Sequence, residues 1–362
     1  MADVKVTGAL DWGSQQQFFA RNSEFASAAH GNWNMVYVGC TGNPGTHCSN
    51  HGGSPSTTIA ETPLIAEKPY ITTDGHKYFL KVPKVESNKQ GNTRGYDNAD
   101  TIDFSKVYVA TASDSANTIN QKLNQGLHLV LSPGIYNLED SLNVEHANTV
   151  VLGLGLATLI AANGKPVIQV GNVDGVRIAG ILLQAGPKET PALLKWGTGG
   201  YSGSQSNPGV LSDVFARVGG PTDSNKEEMK TEMMVQINTG HVIYDNAWLW
   251  RADHDISGSV YSSRNPVNVG LQVNADNVIG YGLAVEHTLG NLMEWNGENG
   301  HVYFYQSELP YDVDQQNYGD KGFVSYYVKE GVKNHSAWGI GVYSYFRDHS
   351  VEVKTGIKVP VE

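Results

Sequence analysis

A short apolar segment recurs along the chain from residue 148 onward, and each copy begins with a turn residue followed by a valine. Segments rich in β-branched residues and bounded by Gly, Asn or Asp favour strands between tight turns. The lead valines are Val150, Val176, Val242, Val278 and Val302, so the intervals between them are 26, 66, 36 and 24 residues.

These intervals predict a parallel β-helix, in which one coil takes roughly 20 to 30 residues and longer gaps hold extra coils or loops. A stacked coil needs β-branched side chains inside and Gly or Asn at its corners, and these segments offer both. A β-sandwich with irregular strands is the competing interpretation, which the lack of hairpin dipeptides between adjacent strands disfavours. We therefore predict an all-β protein, a right-handed parallel β-helix (a pectate-lyase-like solenoid) with loop insertions and a short helix.

The helix is predicted over residues 116–127, with Asp114 or Ser115 as its N-cap. Residues 197–207, rich in Gly and Ser, and the charged residues 221–234 are predicted insertions outside the stack. Three regions follow from these patterns. They are a loop-rich N-terminal segment packing on the solenoid (1–104), the parallel β-helix (105–350) and a tail (351–362).

Charge excludes more partners than it identifies. The chain has 362 residues, a formal charge of −11 and only 17% charged residues. An acidic surface repels nucleic acid, anionic membranes and polyanions such as pectin, whereas a neutral sugar polymer is indifferent to it. No stretch reaches the ~18 apolar residues of a membrane span. We therefore expect no nucleic acid and no membrane as partner.

The two cysteines, Cys40 and Cys48, flank a short Gly/Pro loop. This spacing predicts a local disulfide and hence an oxidising compartment. A metal site using His47, Cys48 and His51 is the alternative, and two reduced, buried thiols are a third. The chain opens without a basic and apolar leader. We expect an extracellular protein whose signal peptide is absent from this chain.

Two glutamates, Glu286 and Glu308, each follow a recurrent strand. If the strands are equivalent in successive coils, the two carboxyl groups stack about 5 Å apart in one groove. Aromatic neighbours such as Trp295, Tyr305 and Tyr311 favour a protonated carboxyl, which a general acid for glycosidic cleavage needs. The alternative is that each glutamate is a surface residue and each aromatic side chain a hydrophobic corner.

Residues 248–255 combine two tryptophans with a polar cluster, which suits carbohydrate binding. A metal site from Asp253, His254 and Asp255 is an alternative, which the alternation of side chains along a strand disfavours. The sequence holds no plausible Ser-His-Asp or HExxH pattern and no dinucleotide signature. We therefore predict neither a cofactor nor a metal ion.

Longer runs spread over nearly the whole chain resemble the second half of glycoside hydrolase family 55, the β-1,3-glucanases. The runs are 34–40, 67–70, 248–255, 285–288, 295–300, 303–312 and 338–343.

The resemblance implies exo-acting hydrolysis of a laminarin-type β-1,3-glucan with inversion at the anomeric carbon. By position, Glu308 matches the family's general acid, and Glu286 matches a second acidic residue that helps to position substrate or water. The implied substrate contacts are Asp253, Asp255 and Tyr311, with Trp250 and Trp295 as sugar platforms.

Members of this family have two tandem β-helix domains with the active site in the cleft between them, and this chain matches the second. The first domain supplies groups that hold the attacking water, which inversion requires. The chain is then a fragment of a longer enzyme, a half that assembles with a second β-helix domain or chain, or a compact homologue.

The leading hypothesis is a β-1,3-glucanase, and the alternative is a non-catalytic β-helix that binds carbohydrate or has a structural role. A polysaccharide lyase is disfavoured, because such lyases act on uronic acids and use basic residues and Ca²⁺.

Overall fold

The structure is a computed structural model of the chain. It describes residues 1–13, 16–28, 33–47, 55–93, 95, 98–219, 227–254 and 260–361.

The N-terminal segment, residues 1–104, contains ten short strands among its described residues. The strands are β1 (Lys5–Leu10), β2 (Gln17–Arg21), β3 (Glu24–Ala28), β4 (Asn34–Val38), β5 (Ser56–Ile59), β6 (Thr62–Ile65), β7 (Tyr70–Thr73), β8 (Tyr78–Pro83), β9 (Glu86–Lys89) and β10 (Ala99–Asp103). Strand β4 pairs in parallel with β2 and β5, and β1 pairs in parallel with β3. Strand β6 pairs with β9 in antiparallel fashion, and β8 pairs in the same way with β7 and β10.

A 3₁₀ turn, Phe104–Lys106, leads into the solenoid, which also holds a π-helical turn at Gln315–Gly319. Its elements are β11 (Val107–Ala110), α1 (Ala116–Asn124), β12 (His128–Leu131), β13 (Ile135–Leu138), β14 (Leu142–Val144), β15 (Val150–Ala161), β16 (Ile168–Val170), β17 (Arg177–Gln184), β18 (Leu194–Tyr201), β19 (Gly209–Val218), β20 (Met233–Thr239), β21 (Val242–Arg251), β22 (Val269–Val273), β23 (Ile279–Glu286), β24 (Met293–Trp295), β25 (Gly300–Glu308), β26 (Tyr326–Val328), β27 (His335–Tyr343) and β28 (Ile357–Lys358).

Two parallel sheets run the length of the solenoid. The long sheet has the strand order β11-β12-β15-β17-β19-β21-β23-β25-β27, with β13 beside β15. The second sheet has the order β14-β16-β18-β20-β22-β24-β26-β28. Each strand pairs in parallel with its equivalent in the next coil, which confirms the parallel β-helix. The 66-residue gap between two lead valines contains β19, the extra coil that the spacing predicts.

The solenoid's two ends hold helix α1 and strand β28. Helix α1 ends at Asn124, earlier than expected, and the Ser115 side chain accepts a hydrogen bond from the Thr118 backbone N–H. At the other end, β28 pairs with β26, so residues 357–358 extend the second sheet.

Apolar side chains fill the interior of the coils, and a second apolar layer joins the N-terminal segment to the outer face of the long sheet. In that layer Val36 and Ile65 pack with Ile243 and Tyr281. Buried Arg21 adds ion pairs to Glu67 and to Asp245 of β21. The N-terminal segment is thus fixed on the sheet by apolar contacts and by charge.

A column of residues with left-handed backbone bends the long sheet and divides its outer face. On one side the N-terminal segment covers the sheet so closely that a Cβ on Gly282 would lie 2.7 Å from the Phe19 ring. On the other side the outer face carries the candidate site. The column consists of Asp213, Asn246, Gly282, Phe304 and Gly339, with φ values of 52°, 65°, 60°, 70° and 64°.

Cys40 is buried, and it forms no disulfide with any residue that the structure describes. Cys48 and His51 lie outside the described residues, so the disulfide stays a prediction. None of the helices in the described ranges is long and apolar enough to cross a membrane.

Candidate active site

A ladder of large side chains crosses the outer face of the long sheet beyond the bend. In successive strands, Arg217 pairs with Trp250, Trp250 with Glu286, Glu286 with Glu308, and Glu308 with Tyr343. Neighbouring strands lie about 4.8 Å apart. The structure therefore brings Glu286 and Glu308 side by side, one coil apart, at the ends of β23 and β25.

Glu286 lies in a poorly solvated position, where its Oε2 accepts a hydrogen bond of 2.9 Å from the Trp248 indole. Burial raises its pKa to about 7; the indole bond opposes this shift, and the nearby carboxylates of Glu308 and Asp253 add to it. The raised pKa keeps Glu286 protonated in weakly acidic solution.

Glu308 accepts a hydrogen bond from the Tyr311 hydroxyl at its Oε2. Burial, followed by the interaction with Glu308, raises the pKa of Tyr311, so the phenol keeps its proton and serves as a donor. Tyr311 follows β25 by three residues, and the turn after the strand brings its hydroxyl back to the carboxyl group.

His287 lies behind Glu308, and its side chain is 1% exposed. Its Nδ1 lies 3.3 Å from the Leu309 carbonyl oxygen, and its Nε2 lies 3.8 Å from both Glu308 Oε2 and Asp253 Oδ2. Burial lowers the pKa of His287 to about 4, so the ring is neutral at ordinary pH. Sequence reasoning missed this residue, although it directly follows Glu286.

Asp253 follows β21 and completes the polar cluster. Its Oδ1 accepts hydrogen bonds of 3.1 Å from the Trp250 indole and 2.7 Å from His254 Nδ1. Asp255, the other predicted substrate contact in this segment, lies outside the described residues. Within the described part of the chain, no group of three His, Cys, Asp or Glu side chains could hold a metal ion.

A buried ion pair beneath the cluster, Arg251–Asp312, also escaped the sequence analysis. Both side chains are inaccessible, and the guanidinium makes two bonds of 2.8 Å to the carboxylate. Arg251 also donates to the carbonyl oxygens of Arg264, Asn265 and His287. The pair thus joins the turns that carry Asp253, His287 and Tyr311.

The exposed aromatic surface is supplied by Trp248, which is 39% exposed and stacks on Trp250 with ring centroids 4.6 Å apart. Trp295, one of the predicted sugar platforms, is 1% exposed and points into the coil. That prediction is wrong, because Trp295 occupies an inward position of the second sheet. Trp250 does lie on the ladder, but it is largely buried beneath its neighbours.

A cavity of about 900 Å³ lies between the N-terminal segment and the outer face of the long sheet. Gln17, Phe19 and Lys68 line one wall, and Trp248 and Ala284 line the other. Neither glutamate of the ladder lines this cavity. It adjoins the site through Trp248, whose indole bonds to Glu286.

A family model described as the LAM55 pectate lyase-like domain matches residues 107–308. The chain belongs to the LAM55 family, glycoside hydrolase family 55. The match begins at the first strand of the solenoid and ends at Glu308, so this LAM55 domain includes both glutamates of the ladder.

Relatives extend the similarity to the whole chain. The LAM55 chain is 38% identical over 370 residues to an exo-β-1,3-glucanase from Streptomyces sp. (strain SirexAA-E / ActE), covering 100% of this chain and 60% of the relative. It is 22% identical to a glucan 1,3-β-glucosidase from Cochliobolus carbonum, covering 64% of this chain and 35% of that protein.

Solved structures of sacteLam55A from Streptomyces sp. SirexAA-E are similar in fold. A variant in complex with glucose superposes with a TM-score of 0.94 at 36% identity, covering 100% of this chain and 65% of that one. A second structure gives a TM-score of 0.89 at 36% identity, covering 98% of this chain and 66% of that one. The LAM55 chain thus spans about three fifths of the curated exo-β-1,3-glucanase that it matches over its whole length.

Proposed function

We propose that this chain hydrolyses laminarin-type β-1,3-glucan as an exo-acting, inverting glycoside hydrolase, with Glu308 as the general acid. The observation that carries the proposal is the pair of adjacent carboxyl groups, Glu286 and Glu308, at the ends of β23 and β25. The names of the two glucanase relatives support the substrate class.

Glu308 would donate its proton to the glycosidic oxygen while the bond from that oxygen to the anomeric carbon breaks. A water molecule attacks the anomeric carbon from the opposite face and gives its own proton to solvent. Tyr311 donates to Glu308 Oε2 and would stabilise the carboxylate that remains after the transfer. Asp253, Asp255 and Tyr311 are the proposed substrate contacts.

The spacing of the two glutamates supports a limited role for Glu286. Inverting pairs stand about 6.5–9.5 Å apart and retaining pairs about 5–5.5 Å apart, whereas adjacent strands are about 4.8 Å apart. A retaining nucleophile must be ionised, and the pKa of about 7 keeps Glu286 protonated in weakly acidic solution. We therefore assign Glu286 to positioning substrate or water and place the water-holding group across the groove.

A second β-helix domain or chain is the proposed source of that group. The N-terminal segment supports this, because its parallel partners, such as Gln17 with Asn34 and Lys5 with Glu24, lie 17 and 19 residues apart, as in successive coils. We place the protein outside the cell, where its polymeric substrate would be found.

Trp248 is the proposed sugar platform. Its ring is exposed beside Glu286 and backed by Trp250, so a glucosyl face could stack on it next to the two carboxyl groups. Trp250 would then act as the support of the platform.

The test is to incubate the purified chain and its Glu308→Gln variant with laminarin, following released sugar and its anomeric configuration. Glu330→Gln, an exposed glutamate outside the ladder, is the matched control. Hydrolysis with inversion by the parent and control, lost in Glu308→Gln, is the expected result. Full activity of Glu308→Gln would refute the assignment. A folded but inactive parent that still binds laminarin would indicate a carbohydrate-binding half.

A further inference from the structure

His287 Nε2 lies between two carboxyl groups, and among the described residues the Tyr311 hydroxyl is a donor to one of them, Glu308. His287 Nε2 lies 3.8 Å from Glu308 Oε2 and 3.8 Å from Asp253 Oδ2. The ring's other nitrogen, Nδ1, faces the Leu309 carbonyl oxygen, which can only accept, so the hydrogen of the neutral ring is on Nδ1. Nε2 therefore directs a lone pair toward two carboxyl oxygens. At 3.8 Å each oxygen is beyond hydrogen-bond length, so a proton passes only when the side chains move closer together.

Asp253 connects this cluster to the protein surface. Asp253 Oδ1 accepts a hydrogen bond of 2.7 Å from His254 Nδ1, and the His254 side chain is 74% exposed. A chain of titratable groups therefore leads from solvent through Asp253 and the buried His287 to Glu308. It approaches Glu308 through His287, on which the Tyr311 ring packs edge-on at 4.3 Å.

We propose that His254, Asp253 and His287 form a proton-return path that recharges Glu308 after each glycosidic cleavage. The path rests on the proposed role of Glu308 as general acid. After donating its proton to the leaving oxygen, Glu308 is a carboxylate. His254 Nδ1 gives its proton to Asp253 Oδ1 while solvent protonates the other ring nitrogen of His254. The Asp253 carboxyl group then turns to give this proton to His287 Nε2, which passes it to Glu308 Oε2. The attacking water releases one proton to solvent, so the enzyme takes up and releases one proton in each turnover.

The surroundings of His287 suit a brief carrier. The carboxylates of Asp253, Glu308 and Asp312 and the guanidinium of Arg251 face it. Burial dominates and lowers the pKa of His287 to about 4, so the ring releases a proton soon after it has received one. Because Nε2 both receives and gives the proton, Nδ1 keeps its bond to Leu309.

A separate path for the proton matters when bound substrate keeps solvent from reaching Glu308 directly. The Glu308 side chain is 26% exposed in the open groove, so solvent can reprotonate it there. A glucan chain lying along the ladder would cover that face. His254 lies at the far end of the path, two groups away from Glu308.

The kinetic test uses His254→Ala, an exposed position whose ring contacts Trp250, with His76→Ala as an exposed control. On laminarin in dilute buffer, we expect kcat of His254→Ala to fall by about tenfold, less than the 10²–10⁴-fold loss of an acid itself. KM should stay unchanged, and added imidazole should restore kcat. An unchanged kcat, or a lowered one that imidazole does not restore, would overturn the path.

A second measurement does not depend on activity. In the ¹⁵N-histidine NMR spectrum, His287 should carry its hydrogen on Nδ1 and titrate near pH 4, and Asp253→Asn should lower its pKa further. A hydrogen resting on Nε2, or a His287 pKa that Asp253→Asn leaves unchanged, would overturn the path. If the chain shows no hydrolysis, the proposed function fails for this chain and the spectrum alone decides the path.

Discussion

Replacing Asp312 by asparagine should destabilise the protein strongly, because the Arg251–Asp312 pair is fully buried. The amide preserves the shape of the side chain but leaves the guanidinium without its counter-ion. The Ser263 backbone N–H, which donates to Asp312 Oδ2 at 2.7 Å, also loses its charged acceptor. Removing one partner of a buried ion pair typically costs about 3–5 kcal/mol. We expect a loss of that size in the free energy of unfolding.

The assay is urea unfolding followed by circular dichroism, with Asp140→Asn as the control. Asp140 forms an ion pair of 2.8 Å with Lys165, and both side chains are about half exposed, 51% and 52%. An exposed pair of this kind contributes at most about 1 kcal/mol. If Asp312→Asn also costs less than about 1 kcal/mol, the reasoning from burial and charge is refuted.

The same pair predicts a pH dependence. Burial alone would raise the pKa of Asp312, but the hydrogen bonds and charge of Arg251 outweigh it and hold the pKa below its usual value. A lowered folded-state pKa contributes stability above the unfolded value, and this contribution is lost as pH falls through the lowered pKa. The difference in unfolding free energy between parent and Asp312→Asn should therefore shrink below about pH 4, the ordinary value for aspartate.

Three further changes test the site and its support. Laminarin hydrolysis by the parent should decline above pH 7, where Glu286 loses its proton, and Glu286→Gln should remove that decline from the pH–rate profile. Gly282→Ala should lower the free energy of unfolding by about 1–2 kcal/mol, because its φ is left-handed and its Cβ would meet Phe19. Trp248→Ala should raise KM for laminarin up to about tenfold, whereas Trp295→Phe should leave KM unchanged and lower only the midpoint.

The solenoid was accessible from the sequence because its strands recur about once per coil, and the glutamate pair because each glutamate ends one of these strands. Lead valines 24 residues apart predict one coil, and Glu286 and Glu308, 22 residues apart, take equivalent positions on adjacent coils. A parallel ladder needs only that each coil repeat its strand at the same place. The valine spacing predicts the coil but misses its register by two residues, because Val302 pairs with Gly280 and the glutamates are 22 residues apart.

Whether an individual aromatic side chain points into the coil or toward solvent could not be predicted in the same way. Trp295 lies in β24, a three-residue strand of the second sheet, and a strand this short has no alternation from which its inward side can be identified. Trp248 and Trp250 are two residues apart in β21, so alternation places both on the same face of the strand. Only the packing of neighbouring side chains buries Trp250 and leaves Trp248 exposed, which the sequence pattern does not show.

The polar groups behind Glu308 were not predictable because three coils supply them separately. Arg251 ends β21 and Asp253 follows it, His287 follows β23, and Asp312 follows β25. Each residue alone, at the end of a strand and beside a turn, has the pattern of an exposed corner. Burial arises only when the turns stack and Arg251 joins Asp312 across 61 residues of sequence. The geometry around the acid is therefore set by the stacking of coils, and a change that shifts one coil should displace His287 from Glu308 before it unfolds the solenoid.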